Sequence, residues 1–237
     1  MYLLNRTAMA MIELIFAIVV MGIVMLSAPM LISTAANSTS VALQQEGIHE
    51  SAARVNMILT YAWDENDTNT TVCGNTIPPI LRVTGGDSEL DPVGTTARRL
   101  GVDTNSSSHT FKCGTLELNA TAIGSEGGDQ DDMDDFANTS LILNTSGSGG
   151  KDYIEQDAVQ VATTISYTSD VASYQGGPTV SYNFDPSSGV AGTTTNIKAI
   201  TVTLTSTSSV SELQKTIVLN AFACNVGGFE YESRTMP

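Results

Sequence analysis

Apolar residues are concentrated in one long run near the N-terminus, from Met9 to Ile32. At a rise of about 1.5 Å per residue, a helix of this length reaches about 36 Å, more than the roughly 30 Å of a bilayer core. Glu13 is the only charged residue in the run. An ionised carboxylate at the bilayer centre is unfavourable by about 2.5–3.5 kcal/mol. The pattern predicts a membrane-spanning helix whose single acid needs a functional explanation.

Beyond Ile32 the apolar residues recur at helical spacing up to Trp63, where turn-forming residues begin. The stripe consists of Val41, Ile48, Ala52, Val55, Leu59 and Ala62. This periodicity predicts that the helix continues from residue 33 to residue 63 as an amphipathic segment. Pro29 and Gly47 favour a kink and a local bend within it.

The C-terminal part of the chain changes from helical periodicity to alternation with a period of two. Four runs show this alternation, at residues 159–167, 180–184, 200–204 and 217–223, and turn-forming Gly, Ser, Asp and Pro residues separate them. Weaker strand candidates lie at residues 77–83, 110–113 and 115–118. Alternation of this kind predicts an antiparallel sheet. The predicted fold class is α+β, with a long N-terminal helix, half membrane segment and half amphipathic, packed on a C-terminal antiparallel β-sheet domain.

Charge adds an orientation to this layout. The chain of 237 residues has a formal net charge of −15 and a pI near 4.2. Because such a surface repels phosphate backbones, we expect no nucleic-acid partner. Arg6 precedes the apolar run, and acids dominate after it, so the positive-inside rule predicts a cytoplasmic N-terminus and an external β domain. The predicted parts are a leader (1–8), a membrane helix (9–32), an amphipathic helix (33–63) and a β-rich domain (64–237).

The N-terminal segment resembles the type IV pilin superfamily, which includes the pseudopilins of type II secretion systems. In that family a prepilin peptidase removes a short basic leader, and the fifth mature residue is Glu. Taking Glu13 as that residue places the cleavage between Ala8 and Met9. Residues 12–14 match the Ile-Glu-Leu core of the family motif, and Gly22 matches a frequent family glycine. Ala8 and Met9 depart from the family pattern, which has Gly and Phe there.

The resemblance implies a pilin-like fold and a structural, non-enzymatic role. The new amine at Met9 would pair with Glu13 of a neighbouring subunit, which sets the register of helices in a filament core. Implied partners are other pilin or pseudopilin subunits, the prepilin peptidase and the inner-membrane assembly platform. The implied location is the bacterial inner membrane, as a single-pass protein with a periplasmic β domain, and then the filament.

A looser resemblance concerns the C-terminal half. The segment DDMDDF at residues 131–136, with the strands KAITVTLT and KTIVLNAF, is similar to minor pilin-like subunits of mannose-sensitive haemagglutinin systems and related pseudopilins. This similarity implies a minor subunit. The alternative from another class is a membrane-anchored envelope protein that binds a ligand through its β domain and does not polymerise.

Other residues suggest further chemistry without a complete motif. Calcium binds six to eight oxygen ligands, and the candidate ligands are Asp129, Asp131, Asp132, Asp134 and Asp135. Their spacing lacks the Gly and the terminal Glu of an EF-hand loop, so a solvated acidic turn is the simpler interpretation. Cys73 and Cys113 form the predicted disulfide and Cys224 a buried free thiol, while the other two pairings remain open. His49 and His109 belong to no recognisable catalytic arrangement, so we predict no enzymatic activity and no cofactor other than the candidate calcium.

Overall fold

The structure, a computed structural model, describes most of the helix and the sheet and leaves several connecting stretches out. The described residues are 4–68, 77–92, 99, 109–113, 116–124, 128–142, 159–172, 179, 185, 189, 192–206 and 214–228. The chain divides into two compact units, Met1–Gly47 and Ile48–Pro237.

Helix α1 runs from Leu4 to Ile58 and contains Pro29 in its interior. Its stretch Met11–Ser38 has a mean hydropathy of 2.6 and is long and apolar enough to cross a membrane. Two polar side chains within this stretch are satisfied by the helix backbone, because Ser27 donates to the carbonyl of Val24 at 3.1 Å and Thr34 to that of Met30 at 2.8 Å. These bonds make the hydroxyls compatible with an apolar surrounding.

The end of α1 differs from the prediction. The helix ends at Ile58, not at Trp63, and the chain then tightens into a turn. The amides of Thr60 and Tyr61 bond back three residues, to the carbonyls of Met57 and Ile58 at 3.1 Å each. Such bonds are common in the last turn of a helix, where they satisfy carbonyls that have lost their helical donors. A four-residue helix, α2, follows at Glu65–Thr68.

The second unit is built around a four-stranded antiparallel sheet. Its strands are β3 (Ser140–Ile142), β4 (Val159–Thr168), β5 (Ile197–Ser206) and β6 (Thr216–Cys224), adjacent in that order. A separate hairpin pairs β1 (Lys112–Cys113) with β2 (Leu116–Glu117), and short 3-10 helices lie at Ser88–Leu90 and Asp134–Phe136. The α+β class is therefore confirmed in this coarse form.

Three of the four alternating runs are confirmed as strands, with the predicted residues on one face. Val161, Thr163, Ile165 and Tyr167 of β4 are buried together, as are Ile200, Val202 and Leu204 of β5. On β6 the burial alternates along the whole strand, with residues 217, 219, 221 and 223 turned to the core. The fourth run, residues 180–184, lies outside the described residues.

One face of the C-terminal part of α1 packs on the sheet as predicted, but the buried residues are not all those of the predicted stripe. Within the second unit, Val55 and Ile58 of α1 join the core with the inner faces of β4 and β5. Ile48 and Leu59, both in the predicted stripe, are 48% and 40% exposed. The end of the helix at Ile58 explains part of this difference, because the turn that follows breaks the helical spacing beyond that residue.

The weaker strand candidates give mixed results. Residues 110–113 and 115–118 contain the hairpin strands β1 and β2. Residues 77–83 form no strand, and Arg82 makes only an isolated bridge to Asn119. Pro78 and Pro79 remove two backbone donors from this segment, which is the physical reason that a ladder does not develop there.

The prediction for Cys224 was wrong about burial. Cys224 is a free cysteine and is exposed, not buried. It shares strand parity with Val218 and Phe222, which are 51% and 55% exposed on the outer face of the sheet. Cys73 lies outside the described residues, and so do the contacts of the Cys113 side chain, so the predicted disulfide stays a prediction.

Candidate functional site

The predicted assembly residues all lie on α1. Ala8 and Met9 are helical, but their side chains lie outside the described part of the chain. Glu13 is exposed, as are its apolar neighbours, among them Ile12 at 71% and Phe16 at 72%. A carboxylate only accepts hydrogen bonds, so it cannot bond to a helix carbonyl as a serine or threonine does. In an apolar surrounding, Glu13 therefore requires a donor from another group.

A second and buried site lies in the β domain, around the side chain of Lys198. We call it the lysine cluster, and it comprises Lys198, Asp64, Asp134, Trp63 and Tyr167. Lys198 is on the inner face of β5, next to Tyr167 across the ladder. Trp63 and Asp64 follow the end of α1, and Asp134 begins a 3-10 helix. The cluster joins three distant parts of the chain at one point of the core.

The ammonium group of Lys198 has an acceptor for each of its three protons. It donates to the Trp63 carbonyl at 2.6 Å, to Oδ2 of Asp64 at 3.2 Å and to Oδ2 of Asp134 at 3.1 Å. The side chains of Lys198, Asp64 and Asp134 are 0% exposed. The ammonium nitrogen also lies 4.4 Å from the ring centre of Trp63 and 5.4 Å from that of Tyr167, within cation–π range.

Asp64 accepts hydrogen bonds from other groups besides Lys198. Its Oδ2 accepts the amide of Thr121 at 2.9 Å and the hydroxyl of the same residue at 3.1 Å. Its Oδ1 accepts the amide of Asn66 at 3.2 Å. Asp64 therefore accepts three hydrogen bonds in addition to the one from Lys198. The hydroxyl of Tyr167 donates to the Thr121 carbonyl at 2.7 Å, and burial together with Asp64 raises the pKa of Tyr167.

Asp134 is in a different environment. Its Oδ1 is buried and accepts no hydrogen bond from an N–H or hydroxyl group among the described residues. Burial and a hydrogen bond with Asp132 raise the pKa of Asp134 to about 9, although Lys198 acts in the opposite direction. One ammonium cannot neutralise two buried carboxylates, and burying an unpaired charge is strongly unfavourable. The arrangement therefore favours Asp134 as the neutral acid.

The candidate calcium ligands do not converge on a common point. Asp132 Oδ1 accepts the amides of Asp134 and Asp135 at 2.9 and 3.1 Å, and Asp135 Oδ2 accepts those of Asp131 and Asp132 at 3.0 and 3.2 Å. Asp129 is exposed. The part of the chain that is described contains no group of three or more acids, histidines or cysteines placed to hold a metal ion. The acidic turn uses its carboxylates to fix its own backbone, and the geometry gives the calcium prediction no support.

The acidic turn and the segment after α1 nevertheless lie close together. The pKa of Glu65 is raised to about 7, mainly by desolvation and secondly by a hydrogen bond with Asp131. Burial and the nearby Asp64 raise the pKa of Asp67 to about 7, and Asp67 Oδ1 is buried without a hydrogen-bond partner among the described residues. Like charges from two separate segments therefore meet around the lysine cluster.

The raised pKa of Asp67 predicts that the domain loses stability as the pH rises from about 4 to about 7. The folded state favours the protonated form of Asp67, and this preference stabilises the fold. The stabilisation is fully present below the ordinary Asp pKa of about 3.9, and it is lost as the pH rises through the folded-state pKa of about 7. The free energy of unfolding is expected to fall by at most about 1.4 kcal/mol per pH unit from this group. Urea unfolding at pH 4.5 and about 7.5 measures it.

Two variants make the source of this pH dependence visible. Asp67→Asn is expected to flatten the decrease, because the amide does not titrate. Asp91→Asn, at an exposed position, is the control and is expected to follow the unmodified chain. A free energy of unfolding that increases over this range in the unmodified chain would contradict the assignment.

Neither Lys198 nor Asp64 was predicted from the sequence as a site residue. A signal for Lys198 was present, because it has the same strand parity as Ile200, Val202 and Leu204 and so falls on the predicted inner face. No local pattern distinguishes Asp64 from the other acids of its turn, since its partners are Lys198 and Thr121. Trp63 is in the core and donates its indole N–H to the Ala223 carbonyl at 3.3 Å.

One cleft of the β domain is large enough for a small ligand. Its volume is about 360 Å³, and it is lined by Thr84, Ala122, Ile123, Ile165, Ser166, Tyr167, Gly192, Thr193 and Thr194. Hydroxyl and apolar groups therefore share a lining that carries no ionised side chain. Comparison of the chain with protein-family models, with curated proteins and with solved structures gives no match.

Proposed function

We propose that this protein is a structural subunit, and by its large domain a minor one, of a type IV pilus or a type II secretion pseudopilus. The single observation that carries the proposal is Glu13, the one charged residue of an exposed apolar helix that is long enough to cross a membrane. Such an acid is rare unless it has a partner, and a neighbouring subunit with a free N-terminal amine would supply one.

The exposed surface of α1 supports assembly through this helix. Side chains that are large and apolar are exposed along Met11–Ser38, from Met11 at 64% through Leu26 at 80% to Ile32 at 71%. An apolar surface of this extent needs a bilayer or other helices around it. In the proposed function it has both, first as the membrane anchor and then as part of a bundle of helices in the filament core.

The proposal further assigns the roles of the remaining N-terminal residues. Ala8 and Met9 flank the proposed cleavage, and the prepilin peptidase, the assembly platform and other pilin or pseudopilin subunits are the partners. The acidic β domain lies in the periplasm before assembly. A buried, paired charge between Met9 and Glu13 would fix the axial register, as a lone polar residue does in a coiled coil.

Processing at Ala8 is the first test of this proposal. In a host with the matching prepilin peptidase, the mature chain is expected to lack residues 1–8, and its N-terminal peptide to begin at Met9. Intact mass and N-terminal peptide mapping measure this directly. Retention of the leader in a host that processes its other prepilins would overturn the proposal.

Glu13 provides the second test. Glu13→Gln keeps the size and the polarity of the side chain but removes the charge, so processing and membrane insertion are expected to continue while the subunit is lost from sheared filaments. Glu46→Gln, on the same helix outside the apolar run, is the matched control and is expected to retain assembly. Normal incorporation of the Glu13→Gln subunit would sink the proposed role.

A second candidate function is a membrane-anchored envelope protein that binds a ligand and does not polymerise. The cleft of about 360 Å³ is the observation that favours it, because its size suits a small uncharged ligand. The two candidates differ in processing, since a simple anchor needs no cleavage between Ala8 and Met9. The fate of the leader therefore distinguishes them.

A further inference from the structure

The lysine cluster holds an amine and two carboxyl groups within hydrogen-bond distance inside the core. Lys198 Nζ lies 3.1 Å from Oδ2 of Asp134 and 3.2 Å from Oδ2 of Asp64. All three side chains are 0% exposed. Groups held together in this way react as if at very high concentration, provided that they can reach a near-attack geometry. An amine and a carboxylic acid in contact can exchange a proton, and they can also condense to an amide without a cofactor.

The two carboxyl groups are not equivalent, and their surroundings assign them different roles. Asp64 accepts hydrogen bonds from the amide and hydroxyl of Thr121 as well as from Lys198, a geometry that suits the role of proton acceptor. Asp134 has a buried Oδ1 that accepts no N–H or hydroxyl donor among the described residues, and its hydrogen bond with the carboxyl of Asp132 requires a proton on one of the two acids, which favours the neutral acid at Asp134. A neutral carboxylic acid is the more electrophilic form, because the attacking amine meets no negative charge on it.

We propose that Lys198 and Asp134 become joined by an intramolecular amide bond, with Asp64 as the proton acceptor. Asp64 takes one proton from the Lys198 ammonium, and the neutral amine then attacks Cγ of Asp134. The N–C bond forms, the C–O bond to the acid hydroxyl breaks, and this hydroxyl leaves with a second amine proton as water. The third proton remains on the amide nitrogen, and the step involves no change of oxidation state.

The surroundings of the cluster suit both the reaction and its product. The rings of Trp63 and Tyr167 lie over the amine at 4.4 and 5.4 Å and help to exclude water, which would reverse the condensation. The Trp63 carbonyl, 2.6 Å from Nζ, is in place to accept the N–H of the new amide. The product is a neutral amide where a buried ammonium stood, so the desolvation of that charge no longer opposes folding.

The bond would connect the acidic turn to one of the two inner strands of the sheet. Asp134 is the first residue of the 3-10 helix at the end of the turn, and Lys198 is on β5, which pairs with strands on both sides. A covalent link between them restricts the unfolded chain, as a disulfide does, and it is not sensitive to reductants. It goes beyond the proposed filament role, since it would form in the β domain whether or not the chain polymerises.

The mass of the folded full-length protein tests the proposal directly. The chain, purified in detergent and then denatured, is expected to be lighter than its sequence mass by one water molecule. Peptide mapping is expected to find a branched peptide that joins Lys198 to Asp134. A mass equal to the sequence mass would overturn the proposal, and a branch from Lys198 to Asp64 would overturn the assignment of the two acids.

Variants separate this bond from other losses of water, such as succinimide formation at an aspartate. Lys198→Met and Asp134→Ala are expected to have their full sequence masses, whereas Lys215→Met, at an exposed lysine next to β6, is expected to keep the deficit. Asp64→Asn keeps an acceptor for Thr121 but loses the proton acceptor, so the deficit is expected to appear more slowly or not at all. A deficit that persists in Lys198→Met would overturn the proposal, and the mass of the unmodified chain decides it even if a variant fails to fold.

Discussion

Replacing Lys198 by Met is expected to destabilise the β domain by at least about 3–5 kcal/mol, the range observed when one partner of a buried ion pair is removed. Met fills a similar volume and packs well against aromatic rings, so the loss of charge dominates the effect. Asp64 would then be a buried carboxylate without its cation, although the amide and hydroxyl of Thr121 still reach it. An amide bond between Lys198 and Asp134 would make the loss larger, since it would remove the link as well.

Urea unfolding of the full chain in detergent, followed by the fluorescence of Trp63, measures this effect. Trp63 is 7% exposed and belongs to the lysine cluster, so its emission reports on this part of the core. Lys215→Met is the matched control, because Lys215 is exposed and surface substitutions usually change stability by less than about 0.5 kcal/mol. Equal stabilities for the two variants would show that the cluster does not hold the fold together.

Replacing Ile58 by Ala is expected to destabilise the second unit by about 2–5 kcal/mol, the range for truncation of a buried Ile with a cavity left behind. Ile58 is the last residue of α1 and is 0% exposed in a core that includes Val161, Ile200 and Val202. Because it is at the end of the helix, the truncation also weakens the contact that attaches these last turns to the sheet.

The neighbouring residue supplies the control for this experiment. Leu59→Ala removes a side chain of similar size that is 40% exposed, so a smaller loss, below about 1.5 kcal/mol, is expected. The same chemical denaturation measures both. A larger loss for Leu59→Ala than for Ile58→Ala would contradict the observed position of the helix face and favour the stripe predicted from the sequence.

The core face of the sheet could be predicted from the sequence because it depends on a local rule. Side chains alternate along a strand, so the burial of residues 161, 165 and 167 follows from the pattern of β4 alone. The helix face could not be predicted as well. The spacing of apolar residues along α1 is compatible with more than one buried face. The end of the helix at Ile58 and the turn after it determine which of these residues reach the core.

The candidate sites divide in the same way. The sequence by itself determined the apolar helix, the isolated acid Glu13 within it and the parity that turns Lys198 towards the core, because each depends on neighbours along the chain. Only the tertiary structure decided that Lys198 meets Asp64 and Asp134, residues far apart in sequence. It also decided that the acidic turn caps its own backbone. Charges interact over a few ångströms of space regardless of sequence separation, so partners of this kind appear only when the chain is folded.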